Sequence, residues 1–154
     1  MEPEPSDPRL TGEIDVDDAT VKAVGLLTEA WETVQIAHGH LYAFHQLTGS
    51  ADFKLEEAVK ALRDAGHGGL ATRLETELLG RNVLPGRWTF QVVEDYEDTY
   101  YEPFRAFERE GRELTGGLRH LWEAGLKRDR RTPGQPGHEA TPAAVPGDSG
   151  SGTG

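Results

Sequence analysis

The chain has 154 residues, a formal net charge of −11 and no cysteine. The length is enough for one domain of ordinary size, and the lack of cysteine excludes disulfides, thiolate catalysis and thiolate metal sites. Without the clustered basic residues that nucleic acids require, we expect no nucleic-acid partner. No apolar run approaches the roughly 20 residues of a membrane helix. The acidic N-terminus lacks the apolar segment of a signal peptide, so we expect no membrane association and a cytoplasmic protein.

Both ends of the chain are predicted to be disordered. Residues 1–18 contain seven acids and three prolines, and residues 132–154 contain four prolines and six glycines. Such segments cannot bury enough apolar surface to offset the entropy of the chain. The prediction is therefore an acidic disordered tail over residues 1–18, a helical bundle domain over residues 19–127, and a disordered Gly/Pro-rich tail over residues 128–154.

The first predicted helix runs over residues 19–47, with Asp17 or Asp18 as its N-cap and Gly49 as its end. A second helix follows over residues 53–65, and the glycine-rich stretch at 66–69 ends it.

A short third helix is predicted over residues 70–79. After a turn-rich connection, the last helix begins between residues 87 and 90 and continues to about residue 126, bent around Pro103. Because short connections favour antiparallel neighbours, the predicted fold is an all-α antiparallel bundle. Its first and last helices are long and the two between them are short.

The two long helices carry apolar residues at the three- and four-residue steps of a helical seam. The stripe on the first helix, called here the inner stripe, consists of Val24, Leu27, Trp31, Val34, His38, Leu41, His45 and Thr48. The stripe on the last helix consists of Phe90, Val93, Glu97, Tyr100, Phe104, Phe107, Gly111, Leu114, Leu118 and Leu121. His40 falls outside the inner stripe, so we expect it at the surface.

His38 and Glu97 are predicted to lie level with one another, because each is about 12–15 Å from the end that the two long helices share. The pair has three interpretations. As a structural pair, each side chain satisfies the other and the helix register is set. As a divalent metal site for Fe, Mn or Zn, His38 and Glu97 would act with Glu94 and His45, although the Glu-x-x-His step of ferritin-like metal sites is absent. As an acid/base site, the pair lacks a nucleophile and an oxyanion donor, and we predict no catalytic residues.

An acidic run with interleaved tyrosines follows the start of the last helix. Its acids are either favourable neighbours of a helix N-terminus or a cation-binding surface; they are Glu94, Asp95, Glu97, Asp98 and Glu102. The preceding stretch, residues 79–91, is interpreted as a rigid turn in which Trp88 and Phe90 anchor the core. In it, Arg81 or Arg87 pairs with the acids, or an arginine binds an anion such as a carboxylate.

The short helices cannot cover the far halves of the long ones. An apolar strip is therefore predicted to be exposed there, made of Val21, Val24, Leu27, Leu114, Leu118 and Leu121, and all of these except Val21 are predicted to mediate self-association. Exposed strips of this kind mark interfaces, so we expect a homo-oligomer or a helical protein partner. The sequence thus favours a protein that acts by self-association or partner binding, with a carboxylate/histidine metal-binding bundle as the alternative. A further hypothesis is a small-ligand pocket lined by Trp31, Tyr42, Trp88 and Tyr100.

Overall fold

The structure is a computed structural model and describes residues 15–118 and 120–138. In those residues the chain is mostly helical and has no strand, only a single antiparallel bridge between Leu84 and Arg87. Most of both predicted tails lies outside the described residues. The part of the C-terminal tail that is described begins in a helix, because residues 128–130 complete the last one.

The helices are α1 (Asp18–Asp64), α2 (Gly68–Glu77), α3 (Thr89–Tyr96), α4 (Glu102–Glu113) and α5 (Leu121–Arg130), with a π-helical turn (Glu97–Tyr101) between α3 and α4. None of the helices in the described part of the chain is long and apolar enough to cross a membrane.

Asp17 caps α1, as the sequence predicts. One of its carboxylate oxygens accepts the backbone N–H of Thr20 at 2.8 Å, and the other accepts the Thr20 hydroxyl at 3.0 Å. These bonds satisfy donors that the first turn of a helix leaves unpaired.

The predicted end of the first helix at Gly49 is wrong, because α1 continues through this residue to Asp64. A single glycine inside a helix costs only about 1 kcal/mol. Residues on both sides of Gly49 have tertiary contacts: His45 bonds to Thr89, and Arg63 forms an ion pair with Glu75 of α2. The two helices predicted over residues 19–65 are therefore one.

The prediction of one continuous last helix is also wrong. Pro103 has no N–H to donate, and the turn before it is π-helical, with the N–H of Glu102 bonded to the carbonyl of Glu97 five residues back. At the other end, α4 stops at Glu113. Gly116 and Gly117 follow with φ of +64° and +77°, a backbone region that glycine enters without steric cost. The segment predicted to complete the last helix is the separate helix α5.

The chain divides into two compact units. The first contains Met1–Thr28 and Glu108–Gly154, and the second contains residues 29–107. The described core of the first unit is small and includes polar groups: Val21, Val24, Thr28, Glu108, Thr115 and Leu121 are buried. The core of the second unit contains Trp31, Val34, Val59, Ala71 and Val93.

Within the second unit, α1 runs antiparallel to the segment from α3 to the start of α4. Trp31 packs on Phe104, His38 bonds to Glu97, and His45 bonds to Thr89. As residue numbers rise along α1, those of the contacting residues in the later segment fall. The end of α1 is likewise bound to the α2 region, through Arg63 to Glu75 and through Asp52 to the N–H of Gly80.

Candidate functional site

His38 of α1 and Glu97 of the π turn are in direct contact. The His38 Nε2 atom lies 2.8 Å from Glu97 Oε1, so the predicted pairing of these two side chains is confirmed. Both are partly covered: 18% of the His38 side chain and 30% of the Glu97 side chain are exposed. The same Glu97 oxygen accepts the hydroxyl of Tyr42 at 3.3 Å.

Three tyrosine rings surround His38. The ring centroid of Tyr101 lies 4.2 Å from that of His38 in a stacked arrangement, and Tyr96 is stacked at 6.3 Å. Tyr42 meets the imidazole edge-on at 5.0 Å. The histidine cluster is therefore His38, Tyr42, Tyr96, Glu97 and Tyr101.

The π turn explains how Tyr96 and Tyr101 reach the same histidine. In an α-helix, residues five apart point in clearly different directions, whereas the i→i+5 hydrogen bonds of a π turn place them nearly one above the other. The turn also shifts the inward face by one residue. Tyr101 packs on Trp31 and His38, while Tyr100, which the heptad pattern predicted to face inward, is exposed.

The one-residue shift persists along α4. Phe107 and Leu114, both predicted on the inner face, are 66% and 64% exposed, whereas Glu108 and Thr115 are buried. No apolar pattern marks Glu108 as an inward residue, and the one signal for the shift in the sequence is Pro103.

Electrostatics in the histidine cluster favour neutral phenols. The negative charge of Glu97 and its hydrogen bond raise the pKa of Tyr42 above its ordinary value of 10.0. Desolvation, followed by the neighbouring phenols of Tyr100 and Tyr101, raises the pKa of Tyr96 above the same value.

The four residues predicted as metal ligands are not brought together. His45 Nδ1 is bonded to the Thr89 hydroxyl at 2.7 Å, and Glu94 is exposed on α3. Only His38 and Glu97 meet, and they bond to each other. Across residues 15–118 and 120–138, no three His, Asp or Glu side chains are grouped so that they could hold a metal ion.

The acidic run is partly neutralised by nearby basic groups. Asp95 forms an ion pair with Arg87 at 2.7 Å, which confirms one of the predicted pairings, and Glu102 lies 3.6 Å from Arg105. The run therefore acts in part to attach the connection before α3 to the helix itself.

The predicted role of Trp88 and Phe90 as core anchors is wrong. Trp88 is 60% exposed and Phe90 is 40% exposed, and their rings meet edge to face at 5.5 Å. They flank an open cleft of about 900 Å³ between the middle of α1, the turn that follows α2, and the start of α3.

The hypothesis of a ligand pocket lined by Trp31, Tyr42, Trp88 and Tyr100 does not match this geometry. Trp31 is buried against Tyr101 and Phe104, and Tyr42 contacts Glu97. Of the four residues, only Trp88 lines the cleft.

The residues predicted for self-association all lie in the first unit, and they differ in exposure. Val24 and Leu121 are buried in the core of that unit, whereas Leu114 and Leu118 are exposed. Leu27 is partly buried, with its Cδ2 atom 2.5 Å from the position that a Cβ on Gly111 would occupy. Val24 and Leu121 thus have neighbours within their own chain.

The chemistry available at the histidine cluster is that of a bonded His–Glu pair among phenols. Comparisons with protein family models, with curated proteins and with solved structures find no match.

Proposed function

We propose that the protein acts by self-association, through an apolar stripe on the outer side of α1. This outer stripe consists of Ala37, His40, Phe44, Leu47 and Ala51, with Ile36 at its edge. The five stripe residues follow one another at steps of three and four, which is the spacing of a helix-pairing seam. All of them are exposed.

The observation that carries this proposal is the exposure of large apolar side chains along this stripe. Ile36 is 64% exposed, Phe44 is 44% exposed and Leu47 is 69% exposed. Burial of such side chains against a partner helix would stabilise the complex by about 25 cal/mol for each Å² of apolar surface removed from water. Phe44 and Leu47 lie three residues apart on one face, and Ile36 lies at the edge of that face. Neighbouring exposed apolar side chains of this kind are typical of a surface that pairs with another helix.

The outer stripe is distinct from the inner stripe, whose contacts lie within the chain. Four of the five outer-stripe residues directly precede an inner-stripe residue, as Phe44 precedes His45. Successive residues are turned by about 100° around a helix. Trp31, His38 and His45 of the inner stripe contact Phe104, Glu97 and Thr89. The middle of α1 therefore has one covered face and one open face.

This proposal keeps the mode of action that the sequence predicted and moves the surface. Leu114 and Leu118 remain exposed in the first unit, but Val24 and Leu121 are already buried there. A pairing surface that needs no rearrangement of an existing core is the outer stripe. A coiled-coil dimer and a cytoplasmic location remain predictions from the sequence.

In this scheme His38 and Glu97 have a structural role. Their bond joins α1 to the π turn, and a slip of either helix by one residue would break it. Buried or half-buried polar pairs that set helix register are well attested. The metal-binding alternative has no support beyond these two side chains, which satisfy one another.

Sedimentation velocity of the whole chain over a wide range of concentration tests the proposal. The wild type is expected to increase in mean mass with concentration. Leu47→Glu is expected to remain monomeric, because it places a charge in the apolar stripe. Gln46→Glu is the matched control, since it adds the same charge at an exposed neighbouring position outside the stripe, and it is expected to associate like the wild type.

Two results would contradict this assignment. A wild type that is monomeric at every concentration would exclude self-association. A Leu47→Glu variant that associates normally while Leu114→Glu does not would move the surface to the strip predicted from the sequence.

A further inference from the structure

The open cleft beside α1 has the size and the lining of a small-molecule site. Its volume of about 900 Å³ falls within the roughly 300–1,000 Å³ that is typical of ligand pockets. Three segments of the second unit form it: residues 48–55 of α1, the turn at residues 78–83, and residues 88–90 at the start of α3.

The walls of this cleft are mostly apolar. They include Leu55, Leu78, Val83, Trp88 and Phe90. Leu78 and Trp88 are 49% and 60% exposed, so two large apolar side chains of the cleft are accessible to solvent. A planar apolar molecule would cover them and would gain contact with the indole ring.

Arg81 is the only basic residue in the described lining. Its guanidinium takes part in no ion pair or hydrogen bond among the described residues. In contrast, Asp52 in the same lining accepts the N–H of Gly80 at 2.9 Å, and the Thr89 hydroxyl is bonded to His45. The guanidinium is therefore a charged group at the cleft without a protein partner among the described residues. A planar carboxylate matches its paired N–H donors.

The walls are held in place without a ligand. Gly80 and Gly86 each have a φ of +70°, which only glycine adopts without strain. Leu84 and Arg87 exchange backbone hydrogen bonds, and Arg87 is in turn tied to Asp95. A cleft with fixed walls binds at a smaller entropic cost than one that must be ordered first.

From this combination we propose that the cleft binds a small aromatic carboxylate, with its ring against Trp88 and Leu78 and its anionic group on Arg81. The proposal is separate from self-association, although Ala51 belongs to both the outer stripe and the lining of the cleft.

Isothermal titration of the whole chain with naphthoate and with naphthalenemethanol tests the proposal, because the two probes share a ring and differ in charge. The wild type is expected to prefer naphthoate. Arg81→Gln is expected to lose roughly tenfold in naphthoate affinity, the scale of one charged hydrogen bond, and to bind the neutral alcohol as before. Leu78→Ser is expected to weaken both probes alike.

Arg73→Gln is the matched control, since it removes the same charge from an exposed position on α2 outside the cleft, and it is expected to change neither affinity. An unchanged preference for naphthoate in Arg81→Gln would overturn the proposal, and so would a wild type that binds neither probe. Naphthoate binding that is equal in the wild type and in Leu47→Glu would support it. Binding that appears only in Leu47→Glu would show that a second copy of the chain fills the cleft, and the proposal would then be wrong.

Discussion

The hydroxyl of Thr28 donates a hydrogen bond to the carboxylate of Glu108, 80 positions away in the sequence, and both side chains are buried. Arg112, one turn further along α4, completes the pairing, with its Nε atom 2.9 Å from Glu108 Oε1 and 3.0 Å from Oε2. A carboxylate that is 3% exposed is tolerated only with such partners. The first unit therefore has a polar pair at its centre where an apolar contact would be usual.

Removal of the Glu108 carboxylate is expected to destabilise the protein strongly. Glu108→Ala leaves Arg112, whose side chain is 14% exposed, without its counter-charge, and we expect a loss of about 3 kcal/mol in the free energy of unfolding. Urea denaturation measures it. The control is Glu110→Ala, at an exposed position on the same helix, which is expected to stay within about 0.5 kcal/mol of the wild type. Equal midpoints for the two variants would refute the buried pair.

The charge of Glu97 is expected to control the titration of Tyr42. Because Glu97 raises the pKa of this phenol above 10.0 by its charge and its hydrogen bond, Glu97→Gln is expected to lower it toward 10.0. NMR of tyrosine labelled at Cζ with carbon-13 follows each phenol separately. Tyr96 is the internal control, since desolvation is the main cause of its raised pKa, and it is expected to move little.

The same two phenols determine how stability changes at high pH. The folded chain retains their protons at a pH where the unfolded chain, with a pKa near 10.0, has begun to lose them. The free energy of unfolding is therefore expected to fall as pH rises above about 10. Denaturation curves recorded across this range test the slope. A shallower fall in Glu97→Gln than in the wild type is the expected result, and identical slopes would contradict the assignment to Tyr42.

Two glycines inside helices are expected to respond in opposite ways to alanine. At Gly39 a new Cβ meets nothing within 4 Å, so Gly39→Ala is expected to stabilise by about 0.5–1 kcal/mol through helix propensity. At Gly111 the new Cβ would stand 2.5 Å from Leu27 Cδ2, and displacement of that side chain typically costs about 1–3 kcal/mol. A net loss of about 1 kcal/mol is expected for Gly111→Ala. Thermal melts compare the pair, and stabilisation by both variants would disprove the close approach at Gly111.

The cap of α1 is expected to titrate below the usual range of an aspartate. The backbone N–H of Thr20 and then its hydroxyl lower the pKa of Asp17 below 3.8. Thr20→Ala removes only the hydroxyl, so the pKa of Asp17 is expected to rise part of the way toward 3.8, as NMR of the carboxyl carbon would show. Since the lowered pKa stabilises the folded state above that range, the contribution of this cap is lost as pH falls through the pKa of the folded chain. A Thr20→Ala variant with an unchanged Asp17 pKa would contradict the role of the hydroxyl.

The sequence by itself determined the helical class and a cap at Asp17 or Asp18, and it predicted that His38 meets Glu97. Each of these depends on local spacing or on chain length along a helix, and both can be counted from the residues alone. Heptad steps place His38 and Glu97 on inward faces. The level at which they meet rests on tertiary contacts, because α1 continues past the helix end predicted at Gly49. The sequence also predicts that Arg81 or Arg87 pairs with the acids after Val93, and the structure selects Arg87 with Asp95, eight residues apart in one local segment.

Only the tertiary structure decided where α1 ends and which side of α4 faces inward. Gly49 is a weak local signal for a helix end, and α1 continues through it to Asp64. The sequence shows that Pro103 lacks an N–H to donate. It does not show that the turn before Pro103 is π-helical, or that this turn shifts the inward face by one residue, because both depend on packing against α1. That shift buries Glu108 and Thr115 and exposes Phe107 and Leu114, against the order of hydrophobicity. Periodicity alone cannot foresee it, because one extra residue in a turn changes which of the following residues face inward.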